Sequence, residues 1–203
     1  MVMADISAAK VKELRERTGA GFMDCKRALE ETGGDLDAAT AILRERGLAA
    51  AAKKSGREAR EGLIDSYIHT GGRVGVLIEV NCETDFVART EQFQQLVHNL
   101  AVQVAATFPK YVDVGDIPQD VLESRRRELL DAEDVRAKPE DVRGKIVDGR
   151  LKKWYAEPGG VLLEQPFRDT EQTVRDLITQ AVATIGENIV VRRFDRYALG
   201  EEL

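Results

Sequence analysis

An α+β fold is predicted for this chain by three observations: short, glycine-closed helical patterns fill the first fifty residues, a strand hairpin follows Gly62, and amphipathic helices then alternate with strands. Ser7 is placed to cap a helix running through Arg17, with Val11 and Leu14 three apart. Phe22, Cys25 and Leu29 share a face before Gly33 and Gly34, and Asp35 can cap a third helix ending at Gly47. A three-helix module of this size buries little surface, so it reads as a binding head and not as a catalytic unit. Leu48–Ser55 is alanine-rich and then basic, a helical linker that stops at Gly56. The domains are therefore expected at residues 1–55 and 56–203.

Beyond Gly62, Ile64, Ser66 and Ile68 alternate with Leu63, Asp65, Tyr67 and His69. Gly71-Gly72 supplies a tight turn, and Val74, Val76, Ile78 and Val80 alternate again, which makes residues 63–80 a hairpin. Thr90 caps a helix whose apolar face is Phe93, Leu96, Val97, Leu100, Ala101 and Val104, suited to packing across that hairpin. Pro118 opens a helix to about Leu130. Pro139 opens another that carries Val142, Ile146, Val147, Leu151 and Trp154, and the two form a projecting helix hairpin at about 119–155. A short apolar strand at Val161–Phe167, a helix at Thr173–Ile185 and an alternating strand at Ile189–Tyr197 complete a mainly antiparallel second domain.

Between hairpin and helix lies the most informative stretch, Val76 to Val87. The strand alternation stops, and Thr84, Asp85, Phe86 and Val87 must sit at the strand exit. Two readings fit these residues: Phe86 in the core with Asp85 capping a helix, or a rigid probe with a bare aromatic tip.

Composition narrows the function classes. The 203 residues are 43% hydrophobic and 33% charged, a globular mix, and 30 Lys and Arg against 36 Asp and Glu give a net charge of −6. That balance disfavours nonspecific binding to a phosphate backbone. Cys25 and Cys82 are the only cysteines, far apart, so neither a disulfide framework nor a metal site is expected and a reducing cytoplasm fits. Met1–Ala20 has no continuous apolar core, so no secretory signal is expected, and no run reaches membrane-spanning length. Walker, dinucleotide-binding, nucleophile-elbow and zinc-helix motifs are all missing; Gly71–Gly75 joins two strands where a dinucleotide site needs a strand and a helix. His69 and His98 are the only histidines and read most simply as surface or half-buried residues. No enzyme chemistry, cofactor or metal is expected.

Val11-Lys-Glu-Leu-Arg-Glu-Arg-Thr-Gly-Ala-Gly-Phe-Met-Asp-Cys-Lys26 and Glu79-Val-Asn-Cys-Glu-Thr-Asp-Phe-Val-Ala88 closely resemble the two signature segments of the bacterial elongation factor Ts family. Asp148–Trp154, Leu163–Phe167 and Ile185–Ile189 follow in the expected order and extend the resemblance over almost the whole chain. The resemblance implies a small ubiquitin-associated-like helical head followed by an α+β dimerisation domain. It implies guanine nucleotide exchange: binding of elongation factor Tu in its GDP form, displacement of Mg²⁺ and GDP, and release of the partner to take GTP. Thr84, Asp85, Phe86 and Val87 would then dislocate the partner's Mg²⁺, while Arg15, Phe22 and Met23 would bind the partner's nucleotide-binding domain. One of Phe22 and Met23 is expected to plug the head's own core, and Phe22 departs from the methionine more usual in the family at that position.

Longer family members carry two related halves in the core, and this sequence has one, ending at Leu203. One half leaves a sheet edge bare, so a noncovalent homodimer is expected, with Ile189, Val191 and Phe194 of the last strand helping to pair the subunits. Two other classes remain. A ubiquitin-associated-like adaptor for another protein leaves Thr84–Val87 without a task. An RNA factor using Lys53, Lys54, Arg57 and Arg60 must overcome the acidic charge and lacks an aromatic stacking platform.

Overall fold

The computed structural model describes residues 6–168, 170 and 172–201. Its elements are α1 (Ala8–Thr18), α2 (Phe22–Glu31), α3 (Leu36–Lys54), β1 (Glu61–Ile68), β2 (Val74–Cys82), α4 (Asp85–Ala88), α5 (Glu91–Thr107), α6 (Gln119–Asp131), α7 (Glu133–Arg136), α8 (Glu140–Ala156), α9 (Val174–Ile185) and β3 (Val190–Ala198). This mixture of helices with a small antiparallel sheet of order β1-β2-β3 is the predicted α+β class. Two compact units are present. The first comprises the chain up to Ile64 with Glu79–Val97 and Asp176–Val191; the second comprises Asp65–Ile78, His98–Arg175 and the chain from Arg192 onward.

In the first unit, α1 to α3 close on Val11, Leu14, Cys25, Ala28, Leu29, Ala39 and Leu43. The predicted caps are in place: the Ser7 hydroxyl accepts from the Lys10 amide at 3.4 Å, and one Asp35 carboxylate oxygen accepts from the Asp37 and Ala38 amides at 2.9 and 3.0 Å. The third helix differs from the expectation, because it runs through Gly47 to Lys54 without a break. A Cβ at Gly47 would stand 3.5 Å from that of Ala183. The glycine is thus a point of close approach between α3 and α9, not a stop signal. Arg44 pairs with Asp176 at 3.0 Å, and the Lys54 ammonium donates to the Val182 carbonyl at 3.3 Å along the same contact.

Val76, Ile78, Val80 and Cys82 form the buried face of β2, as the period-two pattern predicts. Gly71 and Gly72 carry φ of +92° and +67° at the hairpin turn. Within the second unit α5 lies across the sheet: His98 meets Asp65 at 3.2 Å, the Tyr67 ring stands edge-on to His98, and Arg196 Nε donates to the Ala105 carbonyl at 3.4 Å. The helices α6, α7 and α8 pack around Val135, Val147 and Leu151, with Trp154 beneath the Arg125 guanidinium.

Two sequence-based expectations need correction here. Val161–Phe167 is not a strand of the sheet. Val161 makes a single parallel bridge with Tyr111, and Leu162–Glu164 form a 3₁₀ turn. Buried Gln165 takes a bond from the Thr107 hydroxyl at 2.6 Å and gives one to the Glu157 carbonyl at 3.0 Å, while Pro166 has no amide to offer a ladder. The last strand also does not present the expected dimer residues: Ile189 and Val191 are buried within the protomer and Phe194 is half-buried. Along β3 the alternation slips by one at Arg192 and Arg193, which are both exposed, so that Phe194, Arg196 and Ala198 take over the inner face.

Two glycines test this description by opposite signs. Gly62 has φ +145°, and a Cβ there would meet the Val80 carbonyl oxygen at 2.2 Å; Gly149, inside α8, has open space. Gly62→Ala is expected to lower unfolding free energy by about 2 kcal/mol or more, and Gly149→Ala to raise it by roughly 0.5–1 kcal/mol, both read from urea midpoints.

Candidate functional site

β2 ends at Cys82, and the chain enters α4, a single helical turn. Four residues cannot sustain a helix unaided, so the turn depends on its ends. At the near end the Thr84 hydroxyl accepts from the Val87 amide at 3.3 Å; at the far end the Thr90 hydroxyl donates to the Val87 carbonyl at 2.8 Å and accepts from the Phe93 amide at 3.3 Å. Val87 and Ala88 are buried and anchor the turn. Asp85 and Phe86 point outward, and Phe86 is 77% exposed, which excludes the reading that placed it in the core. The cap is Thr84, not Asp85. The Asp85 carboxylate instead accepts from the Arg89 guanidinium at 2.8 Å, an exposed pair that a partner could displace at little cost.

Thr84, Asp85 and Phe86 thus share one exposed turn, and Val87, the fourth predicted residue, is its buried root. In the head, Arg15 is exposed on the last turn of α1, and Phe22 and Met23 open α2 after Gly19-Ala20-Gly21. Neither aromatic nor methionine plugs the head core: Phe22 is 48% and Met23 61% exposed, because Cys25, Ala28 and Leu29 already fill the space facing α1 and α3. Two large apolar side chains therefore stand bare side by side on the small head.

Residues that sequence reasoning passed over surround the strand exit. Glu187, in the turn between α9 and β3, accepts from the Glu83 and Thr84 amides at 3.0 Å each and from the Thr84 hydroxyl at 2.7 Å. Glu83 in return accepts from the Asn188 amide at 2.7 Å and pairs with Arg57 at 3.5 Å, and the Asn188 side chain donates to the Arg57 carbonyl at 2.8 Å. Arg57 is therefore engaged in this lattice, as Lys54 is with Val182, which weakens the basic patch of the RNA reading. The available signal was Gly186-Glu187-Asn188, an acidic residue in a glycine turn away from any helix face. Cys82 donates its thiol to the Thr84 carbonyl at 3.2 Å, and burial, aided by the Glu187 charge, pushes that thiol up to about 11.

Among the described residues no group of His, Cys, Asp or Glu could hold a metal, and no helix is long and apolar enough to cross a membrane. What the arrangement does present is exposed apolar side chains: Phe86 on α4, and Phe22 and Met23 on the head. A family model described as Elongation factor TS matches residues 35–178. The elongation factor Ts of Thermoanaerobacter sp. (strain X514) is 58% identical over 198 residues, covering 97% of this chain and 96% of that protein. The chain belongs to the elongation factor Ts family. Those of Moorella thermoacetica and Coprothermobacter proteolyticus agree, at 59% and 54% identity over 198 residues, covering 97% of this chain in both cases and 96% and 100% of those proteins. As an elongation factor Ts family member, the chain has a role in translation elongation.

The Cys82 thiol supplies a pH test of the strand exit. Its folded value, about 11, lies above its ordinary 9.0, so the folded state keeps a proton that the unfolded state gives up between those values. Stability from this group is full below pH 9 and lost as pH rises towards 11. The parent should lose roughly 2 kcal/mol relative to Cys82→Ala across that window, measured by denaturant unfolding.

Proposed function

We propose that this family member is a cytoplasmic guanine nucleotide exchange factor that binds elongation factor Tu in its GDP and nucleotide-free forms, displaces Mg²⁺ and releases GDP, with no covalent chemistry, cofactor or nucleic-acid contact of its own. The observation that carries the proposal is Phe86, bare on a turn held at both ends. The head (residues 1–55) would grip the partner through Arg15, Phe22 and Met23, and the core (56–203) would deliver the wedge.

GDP in a phosphate-binding GTPase is held by backbone amides and by Mg²⁺ bridging phosphate and hydroxyl oxygens, so a small displacement near the metal weakens several contacts together. Phe86 entering an apolar crevice of the partner supplies about 1.5–3 kcal/mol from burial. Asp85, leaving Arg89, brings a carboxylate towards groups that serve the metal. The complex must be tighter with nucleotide-free partner than with the GDP form, since equal affinity shifts nothing, and by reciprocity added nucleotide must expel the factor. In stopped-flow release of a fluorescent GDP analogue from elongation factor Tu with Mg²⁺ present, Phe86→Ala should slow stimulated release roughly tenfold to a hundredfold. Asp85→Ala should slow it by a smaller factor, and neither should shift the melting temperature beyond about 2 °C. Folded parent that fails to accelerate release would return the chain to the adaptor class.

A homodimer belongs to the same proposal, through a surface other than the one expected. In the second unit, Ile68, Leu77, Tyr197 and Leu199 are exposed around a depression of about 590 Å³ that Ser66, Gly72 and Gly75 also line. An antiparallel sheet with one apolar face bare is self-complementary across a two-fold axis. Light scattering at micromolar concentration should give twice the chain mass for the parent and one chain mass for Leu77→Glu; a single-chain parent would end the dimer proposal.

A further inference from the structure

Among the described residues Glu187 is the side chain that binds both amides following β2 and the hydroxyl that caps α4, and we propose that it is a positioning residue for nucleotide exchange. The inference rests on the exchange reading above. Beyond Cys82 the Glu83 and Thr84 amides have left the strand ladder, and one Glu187 carboxylate oxygen takes both at 3.0 Å. The other oxygen takes the Thr84 hydroxyl at 2.7 Å. That hydroxyl spends its proton on Glu187 and is oriented to accept the Val87 amide at 3.3 Å, so the carboxylate sets the cap and the cap sets the turn.

The support continues behind Glu187. Gly186, at φ +93°, turns the chain out of α9, and the Asn188 amide is fixed by Glu83 at 2.7 Å. Glu187 therefore holds the Glu83 amide while Glu83 holds the next amide along, that of Asn188, whose side chain is tied to the Arg57 carbonyl. Phe86 carries no such tether: its side chain is open to solvent, and only the backbone of α4 determines where it aims. Without Glu187 the far end of the turn stays bonded through Thr90, while the near end keeps only the Cys82 thiol and the Ala88 amide on the Thr84 carbonyl and loses the bonds that fix the Glu83 and Thr84 amides and orient the cap. A wedge that reaches the partner at the wrong angle still docks through the head but stimulates poorly, because exchange depends on misplacements of about 1 Å.

The test separates docking from stimulation by titrating each variant in the GDP-release assay. Glu187→Ala should lower the maximal stimulated rate about tenfold while the half-saturating concentration moves less than about threefold. Glu187→Gln keeps an oxygen for the two amides and should recover to within about threefold of the parent. Amide hydrogen exchange should show loss of protection at Glu83, Thr84 and Val87 in the alanine variant and retention in the glutamine variant. Should Glu187→Ala not fold, Thr84→Val, which keeps the backbone bonds and removes only the hydroxyl relay, must reproduce the fall in maximal rate, and Thr84→Ser must restore it. Parent-like maximal rates in Glu187→Ala or Thr84→Val overturn the proposal, as does an equal fall in Glu187→Ala and Glu187→Gln with protection intact, which would assign the effect to charge. If Phe86→Ala also keeps full stimulation, the wedge role of Phe86 fails instead, and if the folded parent does not accelerate release at all, the exchange reading fails, so these failures are distinguishable from that of Glu187.

Discussion

The exit of β2 is the constraint on which the site depends. A strand that ends must find partners for the amides that leave the ladder, and in a buried or half-buried setting an unmet donor costs about 1–3 kcal/mol. Here the partner is a carboxylate, which accepts several bonds without needing a donor in return. Because the same carboxylate also takes the Thr84 hydroxyl, solving the backbone problem of Glu83 and Thr84 fixes the first turn of α4 as well. Cys82 adds to this from the strand side, its thiol donating to the Thr84 carbonyl. The exposed Phe86 is thus carried by a segment in which the Glu83, Thr84, Val87 and Ala88 amides have defined partners.

The rest of the first unit follows the ordinary logic of small domains. Three short helices share a core of a few aliphatic side chains and one thiol, and such a core supplies little stability by itself. Contact along α9 adds to it, through the close approach at Gly47 and the bonds of Arg44 and Lys54. Satisfying the helices in this way leaves Phe22 and Met23 on the outside. Their exposure is not a packing failure, since the positions facing the core are already occupied by Cys25, Ala28 and Leu29.

Local chemistry was legible in the sequence where it alone decided the outcome. The period-two run of β2, the Gly71-Gly72 turn, the caps at Ser7, Asp35 and Thr90, and the proline-opened helices α6 and α8 needed no knowledge of distant residues. What escaped was set by long-range partners. Gly47 reads as a stop until Ala183 is seen beside it, and Val161–Phe167 reads as a strand until Gln165 is seen bonded to Thr107 and Glu157. The phase slip at Arg192–Arg193 has no signature in an alternating run that contains two arginines. Of the site, Asp85 and Phe86 could be singled out from their place after a strand. Glu187 was harder to single out, because its bonds reach 103 residues back to Thr84, and only its place in the Gly186-Glu187-Asn188 turn, away from any helix face, sets it apart from the many surface glutamates.

A wedge on a fixed turn also answers a thermodynamic demand of the proposed exchange. Any free energy used to order Phe86 on docking is subtracted from what is available to distort the partner, and ordering a loop of several residues costs about 1–2 kcal/mol for each backbone position. Thr84 to Thr90 are already ordered by hydrogen bonds at both ends and by the burial of Val87 and Ala88, so most of that cost is met during folding of the factor itself. The apolar contact made by Phe86 can then be expressed as a difference between two states of the partner, which is the only form in which binding shifts an equilibrium. The same ordering keeps Phe86 from collapsing onto its own protein: it stays exposed because the geometry of α4 gives it no internal surface to reach.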